Sequence, residues 1–183
     1  DVILVGDYHT LHIAQKTYLK LIKRIRGSRT ALALEFFPTE GQAAIDAWLD
    51  GRIKERTLLS RTRYKTRWPY DIWPDIAPIA ELARRRGWAL LGIDGARESH
   101  RPLTEADDWM ARVIVEHLAS APPKTRVMTL VGELHLATTH LPAALQRQAQ
   151  EVLGRELRVL SILQNNETLY WQLMSEPTHQ DRE

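Results

Sequence analysis

Two tetrapeptides in this 183-residue chain share the pattern Gly-x-x-His, namely Gly6–His9 and Gly132–His135. Each comes directly after a short apolar run, and a third apolar run ends at Glu35. Imidazole and carboxylate groups are the side chains that most often transfer protons or bind divalent ions in enzymes. The glycine of each tetrapeptide permits a sharp turn that lets the following side chains point into a crevice. We therefore predict a polar site built from His9, Glu35 and His135, provided that the fold brings the three runs together.

The runs that precede these residues have the character of buried β-strands. Each is apolar throughout rather than alternating, which is typical of strands that are covered on both faces. Patterns with helical spacing lie between them, so the sequence predicts a three-layer α/β/α fold with a mostly parallel sheet. Because parallel strands end at the same edge of a sheet, the residues that follow them should meet in one crevice. The predicted strands are Val2–Val5, Ala31–Leu34, Trp88–Ile93, Val127–Val131 and Leu157–Leu163, with Thr168–Leu173 as a sixth candidate.

Residues 39–86 break this alternation, because they carry helical patterns and no strand pattern. We predict a single domain over residues 1–183, within which residues 39–86 form a helical insert or lid. The insert contains a basic stretch between Arg52 and Arg67, which is either a solvated face or a site for carboxylates, phosphates or an anionic membrane. Three aromatic residues that follow it, Trp68, Tyr70 and Trp73, could form one wall of an apolar pocket.

We also predict where two of the long helices begin. Thr10 precedes a helical pattern that runs to Ile25, and Thr104 precedes one that runs to Ser120. Threonine is a favoured N-cap residue, so we expect Thr10 and Thr104 to cap these helices.

The composition excludes several classes of protein. The chain has no cysteine, which excludes thiolate nucleophiles, zinc–thiolate sites and iron–sulfur clusters. Its formal charge is +2, and no nucleic-acid-binding motif is present, so we expect no nucleic-acid partner. No apolar run approaches the ~20 residues that a membrane span needs. The chain starts at Asp1 rather than at an initiating methionine, and this start lies inside an apolar run, so we expect a trimmed start with any export signal or lipid anchor outside it.

Other polar residues near the predicted strand ends have structural alternatives. Asp94 ends the third run and could equally cap a loop. His140 could start a surface helix. Glu133 could equally have a functional or a structural role. His9 and His135, taken singly, could be hydrogen-bonded turn histidines. Their recurrence in the same frame after a strand is what favours a functional role.

The ordered set of these residues resembles the Tiki/TraB/erythromycin-esterase superfamily, and within it the ChaN-like haem-binding uptake proteins. The resemblance rests on the paired Gly-x-x-His turns, on Glu35 after the second strand, and on supporting stretches at 31–37, 68–73, 91–95 and 131–137. It extends over nearly the whole chain. One departure is Ala106, which stands where many relatives have an arginine that would stabilise developing negative charge.

The resemblance implies a three-layer domain with a small helical subdomain, haem binding, and a role in haem and iron uptake, often in exported or membrane-anchored lipoproteins. Haem iron needs an axial ligand, an apolar cover for the ring and cations for the propionates. The arginines of the insert could supply the cations. The candidate axial ligands are Tyr8, His9, His135 and His140, and the candidate cover is Trp68, Trp73 and Phe36.

Enzymatic members of the superfamily imply a second possibility, which is hydrolysis of esters or peptides. There His9, Glu35 and His135 would be the catalytic residues or the ligands of a divalent metal ion. We rank the haem-binding protein first and the hydrolase as its alternative. The expected partner is haem or another small molecule, while a homodimer and contact with a membrane surface through an anchor outside this chain stay open.

Overall fold

The computed structural model of the protein describes residues 1–27, 29–95 and 102–164. Its five strands are β1 (Val2–Asp7), β2 (Thr30–Pro38), β3 (Ala89–Asp94), β4 (Arg126–Gly132) and β5 (Val159–Ile162). They form one sheet in the order β3-β2-β4-β1-β5, and every neighbouring pair is parallel. The helices of the described residues are α1 (His12–Arg24), α2 (Gln42–Leu49), α3 (Glu55–Arg61), α4 (Tyr64–Arg67), α5 (Trp73–Arg86), α6 (Leu103–Ser120) and α7 (Leu141–Leu153).

The two faces of the sheet bury different side chains. On β2, Leu32 and Leu34 belong to a core shared with α1 and the insert, whereas Ala31 and Ala33 belong to a second core. That second core also contains the buried faces of α6 and α7. Alternation along a strand sends successive side chains to opposite faces, so one strand serves both cores. The three-layer α/β/α fold predicted from the sequence is confirmed.

Residues 39–86 form a helical segment between β2 and β3. A short 3-10 turn, Thr39–Gly41, precedes α2, and α3, α4 and α5 follow without a strand. The segment is tied to the sheet by buried aromatic and aliphatic side chains such as Trp48, Tyr64 and Ile76. The helix α5 ends at Gly87, whose φ of 61° suits glycine.

The register of the central strands determines which residues meet at the carboxyl edge. β4 lies between β2 and β1, and Gly132 pairs with Asp7 while Leu130 pairs with Leu34. The pairing of β2 with β3 becomes irregular after Leu34, at a bulge that includes Glu35. A bulge changes the direction in which a side chain points. The chain segments that follow β1, β2 and β4 are therefore neighbours.

The expected helix caps are wrong. The helix α1 has Leu11 at its N-cap, and α6 has Pro102, with no side-chain cap hydrogen bond at either position. Thr104 is the second residue of α6, because the helix already begins at Leu103. The candidate sixth strand at 168–173 lies outside the described residues. Within the described ranges, no helix has both the length and the apolar character needed to cross a bilayer.

Candidate functional site

His9, Glu35 and His135 come together at the carboxyl edge of the sheet. The Nε2 atom of His9 lies 3.7 Å from Oε2 of Glu35, and Nε2 of His135 lies 3.9 Å from Oε1 of the same carboxylate. The backbone N–H of Gly132 donates a hydrogen bond to Glu35 Oε2 at 2.6 Å. One carboxylate thus faces two imidazoles that come from sequence positions more than 120 residues apart. Separations above 3.5 Å leave room for water to connect such groups.

Each histidine is held on its far side by a buried carboxylate. Asp7 Oδ2 lies 2.7 Å from Nδ1 of His9, and Asp7 Oδ1 accepts a hydrogen bond from the side-chain amide of Gln15 at 2.6 Å. Asp107 Oδ1 lies 2.6 Å from Nδ1 of His135. A carboxylate at Nδ1 favours the tautomer with a proton on that nitrogen. The Nε2 atoms of both rings are then the atoms that face Glu35.

Asp107 serves two histidines at once. Its second oxygen, Oδ2, lies 2.8 Å from Nδ1 of His140, and only 1% of Asp107 is exposed. His140 therefore lies behind His135 rather than beside His9. The structure places this candidate axial ligand in a hydrogen-bond network that positions His135.

Burial and charge act on the two sides of this centre differently. Burial raises the pKa of Asp7 above its usual range, by more than the hydrogen bonds from His9 and Gln15 lower it. Burial acts to lower the pKa of His135, but the hydrogen bond to Asp107 and the negative charges of Glu35 and Asp107 outweigh it. The pKa of His135 is therefore raised. The imidazole of His135 holds a proton more tightly than a free histidine does.

Aromatic side chains form one wall beside His9. The His9 ring meets Phe36 edge-on at 5.3 Å and Trp68 at 4.9 Å between ring centroids. The indole N–H of Trp68 donates to the backbone carbonyl of Phe36 at 3.2 Å, which fixes the indole against β2. Trp73 packs instead against Phe37 and Tyr64, so Trp68 and Trp73 do not form a common wall at the centre.

Two exposed apolar side chains flank the histidines. Tyr8 and Leu134 each immediately precede a site histidine, and 39% of Tyr8 is exposed.

Asp94 forms an ion pair with the guanidinium of Arg67, which also contacts Glu40 at 3.2 Å. Asp94 is the last residue of β3, the edge strand beside β2, so it belongs to an ion-pair group next to the centre.

Sequence reasoning missed Asp107 and Gln15. Asp107 precedes Met110, Ala111 and Ile114, which lie on the buried face of α6. A carboxylate at that spacing on an apolar helix face is a detectable signal, because an unpaired buried charge is costly. Gln15 lies on the buried face of α1 in the same way.

A donor set of two histidines and a glutamate is of the kind that zinc and similar ions bind. In residues 1–27, 29–95 and 102–164, however, no three or more His, Asp or Glu side chains form a group with the geometry to hold a metal ion. The assignment of His9, Glu35 and His135 as metal ligands therefore stays a prediction.

Two open cavities lie along the insert rather than at the centre. One, of about 280 Å³, adjoins Trp68 and Tyr70. The other, of about 820 Å³, lies between α3 and α4 and is lined by residues including Arg56 and Leu59. The surfaces of both cavities come from the insert, whereas His9, Glu35 and His135 line neither.

The fold and this edge define a class: three-layer α/β domains with a polar His–Glu–His centre at the carboxyl ends of parallel strands. The chain belongs to the ChaN family of haem-binding uptake proteins in the Tiki superfamily, whose sequence model matches residues 1–106. The matched segment contains His9 and Glu35 and ends just before Asp107. The family predicted from the sequence is confirmed.

Solved structures support the fold. "The structure of the type III effector HopBA1" is 19% identical with a TM-score of 0.53, covering 75% of this chain and 68% of that one. "Crystal structure of bacterial protein toxins" is 17% identical with a TM-score of 0.51 over 91% of this chain. This chain spans 33% of that toxin chain. No curated protein matches the sequence. At these identities, the likeness concerns the fold alone.

Proposed function

We propose that the His9–Glu35–His135 centre activates water for the hydrolysis of an ester or amide. The single observation that supports this proposal is the pair of inward-facing Nε2 atoms on either side of one carboxylate. Proton-transfer groups need defined tautomers and short paths to the reacting atoms. The carboxylates of Asp7 and Asp107 favour one tautomer of each imidazole. The separations of 3.7 and 3.9 Å between the Nε2 atoms and Glu35 keep the paths for the proton short.

The roles follow from the charges. Glu35, with His9, accepts a proton from water, and the water oxygen forms a bond to the carbonyl carbon of the substrate. His135, which holds its proton tightly because its pKa is raised, stabilises the negative charge that develops on oxygen. When the bond to the leaving group breaks, the leaving group keeps the electron pair and takes a proton from His135. The proton held by Glu35 then passes to Nε2 of His135, which restores the starting protonation of both groups.

The direct test is a screen of ester and peptide substrates with Glu35→Gln protein beside the wild type. Loss of a positioned general base lowers the rate by about 10²–10⁴-fold. Glu116→Gln is the matched control, because Glu116 is an exposed carboxylate on α6. Activity that is equal in the wild type and in Glu35→Gln would remove the proposal.

Haem binding is the second candidate, and membership of the ChaN family favours it. Tyr8 and His9 are the more accessible of the candidate axial ligands, since His135 is 5% exposed and His140 contacts Asp107. Asp7 at Nδ1 of His9 is the kind of partner that orients histidines bound to metals. In this role the protein would take part in haem and iron uptake.

A haemin titration tests the second candidate. We expect a saturable shift of the Soret band that Tyr8→Phe and His9→Ala weaken or abolish, with His117→Gln on α6 as the control. A spectrum that changes only in proportion to the haemin added, or equally in all variants, would contradict it. The two candidates are separable, because the titration needs no substrate and the screen needs no haem.

A further inference from the structure

A small pocket lies on the insert at the back of the aromatic wall. It has a volume of about 280 Å³ and is lined by Tyr64, Lys65, Trp68, Pro69, Tyr70 and Asp71. The rings of Trp68 and Tyr70 lie 6.1 Å apart at 51°, so they form two sides of a corner. Aromatic faces carry partial negative charge and attract cations.

The hydroxyl of Tyr64 is the second observation. Tyr64 is 2% exposed, and its hydroxyl oxygen has no hydrogen-bond partner among the described residues. A buried hydroxyl without a partner is unfavourable, and such groups are usually paired. A ligand in the pocket that supplies a polar atom would pair it.

The charges around this hydroxyl are negative. Burial raises the pKa of Tyr64 well above its usual range, and the charges of Asp71 and Asp75 raise it further. Of these two carboxylates, Asp71 lines the pocket, whereas Asp75 lies outside the lining and contacts Nδ1 of His12. Lys65 also lines the pocket, but its side chain is exposed and also borders the 820 Å³ cavity.

We propose that this pocket binds a protonated primary amine. The ammonium group would donate hydrogen bonds to the Tyr64 oxygen and to the carboxylate of Asp71, and the faces of Trp68 and Tyr70 would cover its alkyl chain. A quaternary ammonium has no N–H to give to Tyr64, and an uncharged alcohol gains nothing from Asp71 or the rings.

The pocket adjoins the centre through one residue. Trp68 lines the pocket and also meets the ring of His9 at 4.9 Å. A substrate long enough to extend past the Trp68 ring could place its amine in the pocket and its carbonyl near Glu35. This further step, that the amine belongs to a substrate of the centre, rests on the proposed function.

The test uses n-butylammonium as the probe and n-butanol as its uncharged counterpart, with binding followed by calorimetry and by amide NMR shifts. We expect n-butylammonium to bind at least about fivefold more tightly than n-butanol, since exposed ion pairs contribute modestly. Shifts should centre on residues 64–71. Equal affinity for both probes, or shifts elsewhere, would overturn the proposal.

Three variants test the pocket, and Tyr64→Phe separates binding from folding. Tyr64→Phe removes only the oxygen, so affinity should fall by about three- to tenfold, as expected for the loss of one hydrogen bond. Because that hydroxyl has no hydrogen-bond partner in the part of the chain that the structure describes, the thermal midpoint should stay the same or rise. Asp71→Asn should weaken n-butylammonium binding by about two- to fivefold, and Lys65→Gln should strengthen it. Unchanged affinity in Tyr64→Phe would overturn the proposal.

Failure of the pocket and failure of the centre are distinguishable. Glu35→Gln protein should bind n-butylammonium as the wild type does, because Glu35 does not line the pocket. If the probe binds but no amine-bearing ester or peptide is hydrolysed, the pocket assignment stands and the hydrolytic function falls. If esters are hydrolysed but the probe does not bind, the hydrolytic function stands and the pocket assignment falls.

Discussion

Replacing Asp107 tests how the centre is held together. The Asp107 carboxylate is almost fully buried and lies 2.6 Å from His135 and 2.8 Å from His140. Asp107→Asn keeps the shape and one oxygen acceptor but removes the charge. We expect it to lower the free energy of unfolding by about 1.5–3 kcal/mol near pH 6, the contribution of a hydrogen bond to a charged group. Asp107→Ala leaves both imidazoles without this partner and should cost about 3–5 kcal/mol.

The deficit should depend on pH in a defined direction. The pKa of folded His135 is raised, whereas an unfolded histidine titrates near ~6.5. Proton binding by His135 therefore stabilises the fold fully below about pH 6.5, and this contribution is lost as the pH rises through the folded value. Asp107→Asn removes the hydrogen bond and one of the charges that raise this pKa. We expect its deficit to be larger at pH 6 than at pH 9.

Urea unfolding at pH 6, 7.5 and 9 measures the loss of unfolding free energy, and an NMR titration of the imidazole measures the pKa of His135. The neighbouring variant Asp108→Asn is the matched control, because Asp108 forms an exposed ion pair with Arg147 at 2.5 Å. Such pairs contribute about 0.2–1 kcal/mol, so its effect should be small and should leave the His135 titration unmoved. A deficit in Asp107→Asn that is the same at all three pH values, with an unmoved His135 titration, refutes the reasoning.

Two glycines give further predictions. At Gly132, an added Cβ would lie 3.5 Å from Glu35 Oε2 and at the same distance from His9 Nε2. Because these are ordinary contacts, Gly132→Ala should leave the urea midpoint nearly unchanged while the methyl fills the space between the groups and lowers hydrolysis at least about tenfold; a fully active variant would contradict this. At Gly92, an added Cβ would lie 2.6 Å from the carbonyl oxygen of Pro38. Gly92→Ala should therefore lower the free energy of unfolding by about 1–3 kcal/mol in urea, and an unchanged midpoint would contradict the clash.

The positions of the first four strands could be predicted from the sequence. The apolar runs around 2–5, 31–34, 88–93 and 127–131 coincide with β1 to β4 to within a few residues at most ends, and the structure adds length chiefly to β2. Strand ends are also visible in sequence, because a change from apolar to polar residues marks where a buried strand leaves the core. Parallel direction then places His9, Glu35 and His135 at one edge without further information.

The partners of these residues were not visible in the same way. Asp107 reaches His135 and His140 from a helix on one side of the sheet, and Gln15 reaches Asp7 from a helix on the other. Local patterns define faces of helices, but they do not say which polar residue on one element meets which residue on another. The helix caps expected at Thr10 and Thr104 failed for a related reason, because the preference of threonine for an N-cap is weak against the local backbone.

The sequence by itself determined the order of elements, the parallel sheet and the edge at which the histidines and Glu35 gather. Periodicity and chain direction are local properties, and they suffice for that result. Only the tertiary structure decided that Asp7 and Asp107 fix the two rings and that Trp73 packs away from His9. It also decided that Tyr64 lines a pocket, with no hydrogen-bond partner for its hydroxyl in the described ranges. Those outcomes depend on how helices from both sides of the sheet pack against it, and packing couples residues that no local pattern connects.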